Sequence, residues 1–280
     1  MRAVPWLVAF AACSLASAGR AQGAVGSHLG HAPAPASPSA AQRDAELDKL
    51  VAAYPEFLAG RQGDILIWRD GTRMATSDGK TSKTPAQVVE SPDIQDIFAW
   101  PYPLAGQPVT APVADPGRER PAAFFLKMYG NCHAGQVTAN LVGVRWVDGS
   151  SVRITRVNGV ATALAAVVAD LKALGPAYTK YLSPMGGTYN CRAIAGASLA
   201  SMHSYGAAID VNVASSDYWQ WADAAAHGLG RYRNRIPIQI VQAFERHGFI
   251  WGGRWADFDT MHFEYRPEII AVAKAPAGQR

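Results

Sequence analysis

Beyond the first two dozen residues, no apolar run reaches the roughly 18 residues that cross a bilayer; the best, Val160 to Ala169, is ended by Asp170 and Lys172. A polytopic membrane fold is thereby excluded, and the chain must bury its apolar residues in short elements packed on one another. It has enough of them, since 49% of its 280 residues are apolar and 17% charged, which suits one large domain or two small ones. The net charge of +4 is mild and dispersed and does not argue for nucleic acid, whereas an anionic polymer such as a cell envelope is a compatible partner.

The N-terminus carries a different signal. Arg2 is followed by an apolar run from Ala3 to Cys13 and then by Ala16-Ser17-Ala18, the pattern of a secretory signal with a small-residue cleavage site, so residues 1–18 are expected to be removed on export. The run is short for an anchor helix, and Phe10-Ala11-Ala12-Cys13 is a poor lipid-attachment site. Residues 19–42 read as a flexible Ala/Pro-rich tether, with His28 and His31 solvated in it. Export leaves Cys132 and Cys191 in an oxidising compartment, which predicts one disulfide. The competing reading, a metal site of Cys132, His133 and Cys191, lacks the C-x-x-C pair of a zinc signature.

Within the region 43–120, Leu47, Leu50, Val51 and Tyr54 recur at helical spacing from Asp44 until Pro55. Ile65 to Trp68 reads as a strand running into an Asp70-Gly71 turn. Residues 76–122 are expected to be an irregular wrapping segment with aromatic plugs at Phe98, Trp100 and Tyr102. The region 121–272 is expected to hold the chemistry, with 273–280 as a tail. There, Val137 to Val147 and Ser151 to Val157 read as strands joined at Asp148-Gly149, Val160 to Leu171 as a helix, and Pro237 to Gly248 as another, with His247 capping its C-terminal dipole.

Nucleotide-binding, G-x-S-x-G and H-E-x-x-H signatures are missing. Ser77-Asp-Gly-Lys80 spells S-x-x-K, but it lies in a turn rather than at a helix start; a serine hydrolase built on Ser77 and Lys80 is the weakest alternative. The informative segments are Ser201-Met-His203-Ser-Tyr-Gly206-Ala-Ala208-Ile-Asp210 and Asp259-Thr-Met-His262-Phe-Glu264. Strand alternation over Ala207–Val213 puts Ala208, Asp210 and Asn212 on one face, and over Met261–Tyr265 it puts His262 and Glu264 on one face. If the strands are neighbours, Asp210 and His262 converge, and a turn at Gly206 brings back His203. Two imidazoles and a carboxylate with an open fourth position form a catalytic zinc arrangement. Taken singly, His203 also reads as a capped surface histidine, Asp210 as a turn or salt-bridge carboxylate, and His262 as a satisfied core histidine.

Together, Ser-x-His-x-x-Gly-x-Ala-x-Asp and Asp-x-Met-His-Phe-Glu resemble the zinc peptidases that cut peptidoglycan peptides, the VanY-like D-alanyl-D-alanine carboxypeptidases and L-alanyl-D-glutamate endopeptidases, over roughly residues 188–266. The resemblance implies an α+β fold of the D,D-peptidase/hedgehog-like type, in which a small antiparallel sheet carries the site and helices cover its other face. It implies that His203, Asp210 and His262 hold Zn2+, that Asp259 is the general base, and that Arg192 matches the arginine upstream of the first motif. Asp257 and Glu264 compete with Asp259 on spacing alone, and Trp251 and Trp255 are candidates to line a groove or to pack in the core. The implied partner is a peptidoglycan stem peptide cleaved outside the cytoplasm; a rival reading is a non-catalytic envelope-binding module on the same scaffold.

Overall fold

The computed structural model describes residues 33, 35–80, 82–104, 112, 114–192, 200–221 and 232–276. The signal-like segment, most of the tether, His28 and His31 lie outside them. Helix α1 (Ala40–Ala53) begins four residues before the expected Asp44, because Ser39 caps it by accepting from the Gln42 amide. It buries Leu47 and Leu50 and ends before Tyr54, which is also buried.

Strands β1 (Leu58–Gln62), β2 (Ile65–Trp68) and β3 (Arg73–Ala75) form an antiparallel meander. The β2–β3 turn is held by Asp70, whose Oδ1 accepts from the Thr72 amide at 3.0 Å and hydroxyl at 2.7 Å. The described residues of the expected wrapping segment 76–122 are largely irregular, with Trp100 and Tyr102 buried and Phe98 half-buried, but include a short helix α2 (Pro85–Glu90) with a Thr84/Gln87 capping box. Helix α3 (Ala122–Tyr129) then buries Phe124, Phe125, Met128 and Tyr129.

Strands β4 (Leu141–Arg145) and β5 (Ser151–Thr155) form the expected hairpin. Its first strand starts at Leu141 rather than Val137, because Thr138–Asn140 closes a 3-10 turn and Val137 points into the core. Helix α4 (Val160–Ala173) buries Val160, Leu164, Val167, Val168 and Leu171, one face at helical period. Helix α5 (Thr179–Leu182) follows.

The last sheet has the order β6 (Ala208–Asp210), β8 (His262–Tyr265), β7 (Phe249–Trp251), all antiparallel. In its register Ile209 faces Phe263 and Trp251 faces Phe263 from the other side. Those three rings and side chains share one face. Helix α6 (Ile238–Arg246) covers that face, with Phe244 stacked on Phe263 at 3.9 Å between centroids. The opposite face is left to Asp210, His262 and Glu264. Helix α7 (Pro267–Ala273) packs on α1, so the two ends of the described chain meet in one core. The protein is therefore α+β, and no single helix among the described residues is long and apolar enough to cross a membrane.

Candidate metal centre

Asp210 and His262 are direct cross-strand partners in the β6–β8 register. His203 stands on a 3-10 turn, Met202–Tyr205, capped by Ser201 and closed by Gly206. Gly206 has φ +64°, and a Cβ there would meet the Leu141 side chain at 2.6 Å and the Thr155 amide nitrogen at 3.3 Å. Glycine is thus required both by the left-handed turn and by the close approach of β5, and the turn folds His203 back over β6.

His203 Nε2, His262 Nδ1 and Asp210 Oδ1 form a triangle whose three sides are each 3.1 Å. The far nitrogen of each ring has an acceptor: His203 Nδ1 donates to the Thr188 carbonyl at 2.6 Å, and His262 Nε2 donates to Glu264 Oε2 at 2.9 Å. With both protons placed on the outer nitrogens, two ring lone pairs and a carboxylate oxygen point at one spot. Such a convergence repels unless a cation sits there. The donor set of two imidazoles and a carboxylate, each ring oriented by an outer acceptor, is that of a catalytic zinc site, so the residues fit the metal.

The charges agree with a site made for a cation. Burial works against ionisation of Asp210, but His203 and His262 outweigh it and hold the carboxyl below its ordinary range. Burial likewise opposes the imidazolium of His262, yet Asp210 and Glu264 lift its pKa to about 9, so without a metal a proton takes the cation's place.

Asp259 precedes His262 on the loop into β8. Segment 217–219 pins that loop: the Trp219 amide donates to the Phe258 carbonyl at 2.9 Å, and the Thr260 amide to the Asp217 carbonyl at 3.0 Å. Asp259 Oδ1 is buried without a hydrogen-bond partner among the described residues. Burial, helped by the Asp210 charge, raises its pKa to about 6. The two rivals for its role are differently placed. Asp257 is ion-paired to Arg118 at 3.2 Å, and Glu264 is fully buried between His262, Arg120 and Arg266.

Cys132 and Cys191 form the expected disulfide, with Cα atoms 5.7 Å apart. It ties residues 190–192 beside the centre, where the Asn190 amide donates to the His203 carbonyl and the Arg192 amide to Ser204 Oγ. The Arg192 residue is exposed. His133 stands next to the disulfide, its Nδ1 3.5 Å from Cys191 Sγ, and His247 caps α6 while bonding Asp170 at 2.9 Å. Trp251 and Trp255 are buried; among the described residues the exposed indole is Trp221, edge-on to Tyr218. Ser77 lies in a turn with its Oγ accepting from the Gly79 amide, and Lys80 pairs with Asp78. A cavity of about 750 Å³ lies between the start of α1, residues 77–80, 82–83 and 95–102, and α7; none of His203, Asp210, Asp259 or His262 lines it.

Arg120 and Arg266 stand outside every sequence signal for the site, and Glu264, a rival base on spacing alone, is instead the outer acceptor of His262. The alternation of β8 was a usable signal for Glu264, because it shares the His262 face; the arginines gave none.

Residues 195–265 match the model of a family described as D-alanyl-D-alanine carboxypeptidase. This is the family that the two motifs resemble, and the matched stretch contains His203, Asp210, Asp259, His262 and Glu264 but neither Arg192 nor the region 43–120. No curated protein and no solved structure matches the chain.

Proposed function

We propose that the chain is an exported zinc peptidase that hydrolyses amide bonds of peptidoglycan stem peptides, as a D,D-carboxypeptidase or an L-alanyl-D-glutamate endopeptidase. The observation that carries the reading is the 3.1 Å triangle of His203 Nε2, His262 Nδ1 and Asp210 Oδ1, with both outer ring nitrogens already committed to Thr188 and Glu264. The family match over residues 195–265 supports a substrate of this class. The disulfide suits an oxidising compartment outside the cytoplasm.

His203, Asp210 and His262 would hold the metal. Zinc, when bound, supplies a Lewis acid that polarises the scissile carbonyl and brings the pKa of water near 7. Asp259 supplies the proton traffic: its Oδ1, without a partner among the described residues, accepts a proton from the attacking water and delivers it to the leaving amine nitrogen. In the metal-free site burial lifts this carboxyl to about 6, above an ordinary aspartate and still ionised at neutral pH. Arg192, held by its backbone against the residue after His203, is assigned to the developing oxyanion or to a substrate carboxylate.

The test is digestion of purified muropeptides with the full chain, weighing the products, before and after chelation and zinc readdition. Loss of a terminal D-alanine identifies the carboxypeptidase, and a cut after L-alanine the endopeptidase. Tight zinc with no turnover on any stem peptide would overturn the enzyme reading in favour of an envelope-binding module.

A further inference from the structure

Residues 114–120 lie before the stretch that matches the peptidase family, yet they end at its metal centre. Arg120 lays its guanidinium against Glu264, with Nε 3.3 Å from Oε1 and Nη2 in closer contact with Oε2. Oε2 is also the oxygen that accepts from His262 Nε2. The other oxygen, Oε1, takes Arg266 Nη1 at 3.2 Å. Arg266 is anchored in turn by the Gly117 and Glu119 carbonyls at 2.6 and 3.1 Å and by Glu268 at 2.6 Å, and Glu268 accepts from Tyr54 at the end of α1. Arg120, Glu264, Arg266 and Glu268 are all buried. Two guanidiniums thus face two carboxylates in a neutral, water-excluded chain that starts at α1 and stops at His262.

An imidazole can carry its proton on either nitrogen, and only the Nε2–H form of His262 leaves Nδ1 bare toward Asp210 and His203. That form is held by the acceptor at Nε2, and the acceptor is held by a two-point contact that a planar guanidinium can make and a single ammonium cannot. We propose that Arg120 is a positioning residue of the metal centre: by clamping Glu264 it fixes the orientation and tautomer of His262, which makes the segment before the family match a built part of the site. The proposal rests on the zinc reading given above.

The test uses the full chain and measures zinc affinity by competition with a chromophoric chelator in wild type, Arg120→Met and Arg120→Lys. Outer partners of ligating histidines are typically worth roughly 10- to 100-fold in metal affinity, so Arg120→Met should bind zinc weaker by that factor, with Arg120→Lys between it and wild type. Activity lost at limiting zinc should return at saturating zinc. Nitrogen-15 NMR of histidine-labelled, zinc-loaded wild type should show His262 protonated on Nε2 and bound to the metal through Nδ1. Arg120→Met affinity within threefold of wild type, whatever its melting temperature, would overturn the proposal, as would a wild-type His262 bound to zinc through Nε2. If Arg120→Met does not fold, the lysine variant and the wild-type spectrum decide. Failure of the underlying zinc reading looks different: wild type would then bind no zinc, or His203→Ala would bind it as wild type does.

Discussion

Two groups of side chains in the described part of the chain bring three potential metal donors within 4.8 Å of one another: His203, Asp210 and His262, and Cys132, His133 and Cys191. Measured by proximity alone they are equals. They differ in how their bonding capacity is spent. In the second group the two sulfurs are spent on each other, and the lone histidine is exposed. In the first, the outer ring nitrogens are spent on Thr188 and Glu264, which leaves the inner nitrogens and Asp210 Oδ1 directed at a common point in a buried setting. What separates a centre from a coincidence is the set of partners behind the donors, because those partners decide where the lone pairs go.

The comparison breaks most directly at the ligands. His203→Ala or His262→Ala should abolish zinc retention after dialysis, and the same change at His133 should leave zinc content at the wild-type level. Metal analysis of the three purified variants checks this. A zinc content that follows His133 would move the centre to the other group. Next in size is Asp259→Ala, which should keep the fold and the metal but lower kcat about 10²- to 10⁴-fold, the range in which general-base catalysis contributes. Steady-state kinetics alongside metal analysis separates the two roles, and near-normal turnover with zinc present would remove Asp259 as the base.

Much of the first group was legible in the sequence, because two local rules suffice for it. The two-residue period of a strand puts Asp210 beside Ala208 and His262 beside Glu264, and Gly206 marks the reversal that returns His203. The helices over Val160–Ala173 and Ile238–Arg246 and the two hairpins follow equally local patterns. Other parts have no local signature. Leu58-Ala-Gly-Arg-Gln does not alternate and becomes strand β1 only because β2 offers it an edge. The Gly-rich surroundings of Trp251 fit a groove and a core position equally, and its place in β7 opposite Phe263 decides for the core. Glu264 was weighed only as a rival base, since the arginine that fixes its role lies 144 residues earlier. The i, i+4 pairs Phe124/Met128 and Phe125/Tyr129 are a local sign of α3.

The second group should matter for stability rather than for metal. Converting both Cys132 and Cys191 to serine opens a loop spanning 59 positions and should cost about 2–4 kcal/mol, read as a lower denaturation midpoint with unchanged zinc content. An unchanged midpoint would show that the bridge is dispensable, and a changed zinc content would contradict its separation from the centre.

The smallest expected effect sharpens the idea that a buried atom without a partner reveals what is missing. Asp259 Oδ1 is one such atom, and Glu119 Oε1 is another. Glu119 is fully buried; its Oε2 accepts from the Gly117 amide at 2.8 Å, while Oε1 has no partner among the described residues. Burial raises its pKa to about 8, against the partial opposition of Arg266, so at neutral pH the missing partner is a proton. The folded-state pKa is raised above the unfolded value near 4.5, so the folded chain binds more protons in between. The stability this contributes is complete below about pH 4.5 and is lost as pH rises through 8. Glu119→Gln keeps the neutral shape and removes that dependence. Between pH 7 and 8 the wild type should lose about 1 kcal/mol relative to the variant, roughly 2–4 °C in Tm for a chain of this size. Parallel melting curves across that range would mean that Glu119 is ionised in the folded protein, with the charge of Arg266 rather than a proton compensating it.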